Sequence, residues 1–212
     1  MKIALLTSSR ADYGIYFPLI KKLVKEQEFE LDIIAFGTHN SLFYGETVKQ
    51  IEADGFVVKH IVQTMILGEG PESVTDSMGL TFLKFSKIWA IEKYKLCIVL
   101  GDRYEMFAAA YSTIAFNIPI AHISGGEQTI GAIDNSFRDA LTVLSQYHFT
   151  STELYAKRVS QIKGAEDNIY NVGALSIDNM RRLKLLTKEE FNTQFNIDLN
   201  QPSILITFHP ET

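Results

Sequence analysis

The chain has 212 residues, 46% of them hydrophobic and 21% charged, with a formal net charge of −5. This is the composition of a soluble globular protein with a sizeable core, and its length allows one large domain, or one domain with the start of another. The acidic balance argues against a nucleic acid or an anionic membrane surface as partner, although basic residues gathered locally can still hold a phosphate. The single Cys97 excludes a disulfide framework within the chain and suits a reducing compartment. Set in the apolar run LCIVL, it reads as a core thiol. The start, MKIALLTSSR, has too short an apolar stretch for a signal peptide. No apolar run approaches the roughly 20 residues that span a bilayer, so the protein is expected in the cytoplasm.

In chain order, KIALLTS (2–8) reads as a strand and leads through SRADYG into a helix with Phe17, Ile20, Leu23 and Val24 on one face. LDIIAFG (31–37) is a second strand, followed by a segment to about residue 53 marked by Leu42, Val48 and Ile51. GFVVKHIV (55–62) reads as a strand and residues 72–94 as a long helix. LCIVLG (96–101) is a buried strand, MFAAAYSTIAF (106–116) a helix, and IPIAHIS (118–124) a further strand. A helix over 134–145, the strand YHFTS (147–151), a helix over 153–163 and NIYNVG (168–173) continue the alternation. Alternating β and α with near-continuous apolar strands predicts an α/β fold, a doubly wound, Rossmann-like parallel sheet covered on both faces. Ligands in such sheets bind outside the carboxyl ends of the strands. Those ends carry Ser8-Ser9-Arg10, Gly37-Thr38-His39, Gly101-Asp102-Arg103 and Ser124-Gly125-Gly126-Glu127.

The first βα turn, TSSRADYG, lacks the glycine triplet of dinucleotide-binding turns, and no GxxxxGK[ST] occurs. Both absences speak against a nicotinamide or flavin enzyme and a P-loop NTPase. Arg10 fits a phosphate contact beside a helix N-terminus, or a solvated loop arginine. Asp102 fits a cap for the next helix, or a base held at a strand end beside Arg103. His39 and His122 also stand at strand ends, as packed residues or as site residues. No Cys/His cluster or HExxH pattern suggests a metal. The stretch HISGGEQTIGAIDNSFR (122–138) has no core-packing pattern. Its glycines, Gly126 among them, free the backbone to turn and to approach a ligand. Asp134 and Asn135 open a helix, where one of them can cap, and Arg138 lies one turn on. Glu127, Asp134 and Arg138 can converge on one cleft, suited to proton transfer beside a phosphorylated ligand.

SSRADYG, LGDRYE, HISGGEQTIGAIDNSFRDALT, HFTSTELYAKRV, NVGALSID and ITFHPET, in this order, resemble the hydrolysing UDP-N-acetylglucosamine 2-epimerase family. The resemblance covers essentially the whole chain. It implies a GT-B arrangement of two Rossmann-like domains with the active site between them, and a reaction without redox cofactor. A base removes the proton at C2, UDP leaves from C1 to give a glycal, and water adds with inverted configuration at C2. The product is a free manno-configured sugar, used in making sialic or legionaminic acid. Asp102 and Asp134 match the acid/base pair, Arg10, Arg103 and His209 the diphosphate contacts, and Arg138 a group orienting Asp134. Glu127 is expected among the catalytic groups, and His39, Ser124 and Gly126 among those around the substrate.

Two positions depart from the pattern: Ser124 stands where many relatives have Glu, and Asp139 where they often have His. Residues 1–185 are expected to form the N-terminal Rossmann-like domain, and 186–212 a linker helix and the first strand (203–207) of a second domain. The expected partner is a UDP-sugar, in a homo-oligomer with no metal. A lone 212-residue chain is expected to bind UDP weakly and not turn over. The competing readings are a non-hydrolysing 2-epimerase, which shares these positions but returns a UDP-sugar, and a nucleotide-sugar-binding fragment without catalysis. The GGExTxGxxD pattern favours the hydrolysing branch.

Overall fold

The computed structural model describes residues 1–68 and 70–207. Strand β1 (Lys2–Thr7) has Ile3 and Leu5 on one side and Ala4 and Leu6 on the other, and all four are buried. A strand apolar on both sides must be covered on both sides, and the rest of the chain does this. Helix α1 (Arg10–Leu23), β2 (Glu30–Ala35), α2 (Val48–Ala53), β3 (Val58–Ile61), α3 (Pro71–Ile91), β4 (Leu96–Leu100) and α4 (Tyr104–Tyr111) follow. Then come β5 (Ile120–Ile123), α5 (Asp134–Leu144), β6 (Tyr147–Thr150), α6 (Glu153–Lys163), β7 (Ile169–Asn171), α7 (Leu175–Arg182) and α8 (Lys188–Phe195).

The seven strands form one sheet in the order β3-β2-β1-β4-β5-β6-β7, and every pairing is parallel. The predicted doubly wound α/β sheet is therefore the observed one. One core contains Ala4, Leu6, Ile34 and Val99 with Phe85 and Trp89 of α3, Met106 of α4 and Leu141 of α5. The opposite core joins Ile3, Leu5, Ile33, Ile98 and Ile123 to Tyr13, Tyr16 and Ile20 of α1 and Ile51 of α2. Cys97 sits fully buried in the first core, and burial pushes its thiol pKa up. Strand order reverses between β1 and β4, so the crevice expected of this fold opens at their carboxyl ends.

Several boundaries differ from the sequence reading, each for a local reason. The helix expected over 106–116 stops at Tyr111. Ser112 and Thr113 turn their hydroxyls back onto the carbonyls of Ala109 and Ala110 at 2.6 and 2.8 Å, and a short 3-10 turn (Ile114–Phe116) follows. The strand expected over 55–62 is only Val58–Ile61, because α2 ends in Asp54 and a left-handed Gly55. Residues 202–207 carry no regular secondary structure, with Ile204, Leu205 and Ile206 exposed.

Helix α7 had no counterpart in the sequence reading. Pro18 inside α1 has no N–H to give the carbonyl four residues back, which is that of Gly14. Asn179 of α7 donates its side-chain amide to that carbonyl at 3.1 Å.

Candidate active site

The turn after β1 is built by a buried carboxylate. Asp12 Oδ2 accepts from the Ser8 amide, the Ser8 hydroxyl and the Ser9 amide at 2.8–3.1 Å, and Oδ1 accepts from the Ser9 hydroxyl at 2.8 Å. Ser9 caps α1 in return, completing a capping box. This fixes the start of α1 and leaves its first residue, Arg10, exposed at the carboxyl edge of the sheet.

After β4, Gly101 adopts a left-handed conformation (φ +77°) and presents Asp102. His122 on β5 holds this turn. It is fully buried and donates from Nε2 to the Gly101 carbonyl at 2.8 Å, while Nδ1 faces the Thr142 hydroxyl of α5 at 3.4 Å. Burial lowers its pKa to about 4, so it is a neutral ring serving the scaffold.

Asp102 pairs with Arg138 of α5, through Oδ2 and Nη2. Arg138 is itself buried, and its Nη1 donates to the Glu127 carbonyl at 2.8 Å and to Asn135 Oδ1 at 3.4 Å. Burial raises the Asp102 pKa, Arg138 opposes that rise, and the charges of Asp134 and Glu127 add to it. Asp102, Glu127, Asp134 and Arg138 are thus one electrostatic group, drawn from the turn after β4, the loop after β5 and the first turns of α5.

The loop between β5 and α5 is held by Asn135, which the sequence places at the helix start, and by Ser151, which the sequence did not flag. Asn135 accepts from the Thr129 amide at 2.9 Å and donates to the carbonyls of Thr129 and Ala132, so it closes the loop onto α5. Ile133, the N-cap residue of α5, supplies no side-chain cap. Ser151, just past β6, donates to Glu127 Oε1 at 2.7 Å and sets the direction of that carboxylate. Ser124 takes a left-handed conformation (φ +64°), uncommon for a residue with a side chain, and its amide donates to the Phe149 carbonyl at 3.0 Å. Asp139 pairs with Arg158 of α6 at 2.9 Å, a helix-to-helix contact on the flank of the group.

Other expected site residues make their closest contacts outside this group. His39 is fully buried between the hydroxyls of Thr7 and Thr47, at 2.9 and 2.8 Å, and burial lowers its pKa to about 4. Gly126 (φ +80°) packs against α6: a Cβ there would sit 2.6 Å from the Tyr155 carbonyl. Close packing against α6 therefore requires glycine at this position. Arg103, beside Asp102, is bound by Glu105 at 2.6 Å. His209 lies outside the described residues. Among the described residues no group of three or more His, Cys, Asp or Glu side chains is placed to hold a metal ion, and no helix is long and apolar enough to cross a membrane.

An ion-paired, partly buried carboxylate beside two further acids suits proton transfer. Exposed Arg10 and half-exposed Arg103 at neighbouring strand ends suit an anionic ligand.

Comparisons with known proteins add to this geometry. The family model described as UDP-N-acetylglucosamine 2-epimerase matches residues 21–212. The UDP-N,N'-diacetylbacillosamine 2-epimerase (hydrolyzing) of Legionella pneumophila is 34% identical over 209 residues, which are 99% of this chain and 55% of the relative. The polysialic acid biosynthesis protein P7 of Escherichia coli is 36% identical over 211 residues, 100% of this chain and 54% of the relative. The crystal structure of UDP-GlcNAc 2-epimerase from Neisseria meningitidis bound to UDP-GlcNAc matches with a TM-score of 0.79 at 20% identity, covering 92% of this chain and 53% of that one. That likeness concerns the fold. The chain spans about half the length of the curated relatives it matches.

Proposed function

Because the chain belongs to the UDP-N-acetylglucosamine 2-epimerase family, we propose that it supplies the proton-transfer wall of a hydrolysing 2-epimerase acting on a UDP-2-acetamido sugar. The observation that carries this reading is the Asp102–Arg138 pair, with the charge of Asp134 close enough to act on Asp102. Two carboxyl groups that influence each other at one strand edge fit a reaction in which a proton leaves one face of a sugar ring and arrives on the other.

In the first step one of these carboxylates takes the proton from C2. The C1–O bond to UDP breaks, and the electron pair from C2 forms the C1=C2 double bond of a glycal. In the second step water adds its oxygen to C1, and a proton reaches C2 from the opposite face. UDP and a free manno-configured sugar result. Arg138 opposes the rise that burial imposes on the Asp102 pKa, and Ser151 orients Glu127 at the rim. Arg10 and Arg103 meet the diphosphate, whose departure needs positive charge.

A UDP-2,4-diacetamido sugar is the first candidate substrate, with UDP-N-acetylglucosamine second. Two similar relatives, at 34% and 33% identity, are named as diacetylbacillosamine 2-epimerases, and Ser124 offers the second substituent a small neutral neighbour in place of an acid. The protein in its natural full length is incubated with each UDP-sugar, and the products are separated. Free UDP and free manno sugar in equal amounts are expected, without added NAD. Recovery of an epimerised UDP-sugar would assign the non-hydrolysing reaction instead, and a requirement for NAD would refute the scheme.

A further inference from the structure

The contact between Arg103 and Glu105 is not accounted for by proton transfer. Arg103 Nε donates to Glu105 Oε1 at 2.6 Å, with the Glu105 side chain 3% exposed and that of Arg103 40% exposed. Glu105 Oε2 is buried without a hydrogen-bond partner. A glutamate in the first turn of a helix ordinarily serves the helix, through its free amides or its dipole. Here its carboxylate also binds Arg103, and the N-cap residue of α4 supplies no side-chain cap.

The carboxylate is also wedged in place. Gly37, at the end of β2, has φ +59°, and a Cβ on it would lie 2.7 Å from the Ser8 carbonyl and 3.3 Å from Glu105 Cγ. The ends of β1 and β2 therefore close around Glu105. Asp12, which builds the β1 turn, is near enough to act electrostatically on both Arg103 and Glu105. An arginine bound through Nε does not need its two terminal amino groups for that bond. Those groups are the ones that grip two oxygens of a phosphate side by side.

We propose that Glu105 is a positioning residue: it anchors Arg103 through Nε so that the guanidinium offers its terminal nitrogens to the diphosphate of the nucleotide substrate. The inference rests on the reading of the cleft as a UDP-sugar site. It makes a signed prediction, because charge alone argues the other way. Removing an acid beside a bound anion removes a repulsion and favours binding. Removing an anchor loosens the arginine and weakens binding.

The test is calorimetric titration of the full-length protein with UDP and with uridine. Glu105→Ala is expected to weaken UDP about tenfold and leave uridine unchanged. Glu105→Gln, which keeps an acceptor oxygen for Nε, retains most of the affinity. In an Arg103→Ala background, Glu105→Ala costs nothing further. Unchanged or tighter UDP binding by Glu105→Ala, equal losses for UDP and uridine, or losses that add to those of Arg103→Ala would each overturn the inference. Should Glu105→Ala fail to fold, Arg103→Lys decides, since lysine keeps the charge but has no Nε–H to anchor. Full UDP affinity in that variant contradicts positioning. If the unchanged protein binds UDP no better than uridine, the proposed function falls and this inference with it.

Discussion

Asp134→Asn is expected to lower turnover by roughly 10²–10⁴-fold, the range for losing a proton-transferring group, while the melting temperature stays close to that of the unchanged protein. Asparagine keeps the size and polarity of the side chain and gives up the proton-carrying group together with its negative charge. The N-cap residue of α5, Ile133, supplies no side-chain cap, and the side chain of Asn135 bonds to Thr129 and Ala132 to close the loop. Steady-state rates and thermal melts on the same preparation separate proton transfer from a structural role. Parallel losses of activity and melting temperature would make Asp134 a structural residue, and full activity would remove it from the mechanism.

Arg138→Met should act on both stability and pH dependence. Arg138 is buried and bonds to Asp102, the Glu127 carbonyl and Asn135. Losing one partner of such a pair leaves the other charge uncompensated, at a cost of about 3 kcal/mol. The pH effect has a definite sign. Burial raises the Asp102 pKa and Arg138 opposes the rise, whereas Asp134 and Glu127 push the same way as burial. Without Arg138 the carboxyl moves further up, so activity that needs ionised Asp102 sets in at higher pH. Arg138→Lys keeps the positive charge and should hold the acid limb near its original place, though with fewer bonds. If the acid limb of Arg138→Met does not move, Asp102 is not the group whose ionisation limits the rate.

Much of this arrangement was legible in the sequence because parallel strands announce themselves as apolar runs and their ends by polar clusters. LCIVL followed by Gly-Asp-Arg, and IAHI followed by Ser-Gly-Gly-Glu, place Asp102 and Glu127 on one edge before any contact is known. Arg138 one helical turn after Asp134 was equally readable. What it reaches was not: Asp102 is 36 positions away, and the pairing depends on how α5 packs against α4 and β5. The supports from Ser151 to Glu127 and from Asn179 to Gly14 span 24 and 165 positions and leave no local pattern. Glycines carry a second kind of ambiguity. Gly126 suggests close approach of a ligand, and the close approach is real, but the neighbour is the backbone of α6. His39 stands at a strand end as a site residue would, yet two threonine hydroxyls occupy both ring nitrogens.

The account turns on a proton leaving and returning at C2, and solvent deuterium reads this directly. The full-length protein is supplied with a UDP-2-acetamido sugar in deuterated water, and the released sugar is examined by proton NMR and mass spectrometry. The account predicts a free manno-configured product with one deuterium at C2 in essentially every molecule, and no such product from Asp134→Asn on the same timescale. A product that keeps its original hydrogen at C2 would contradict it.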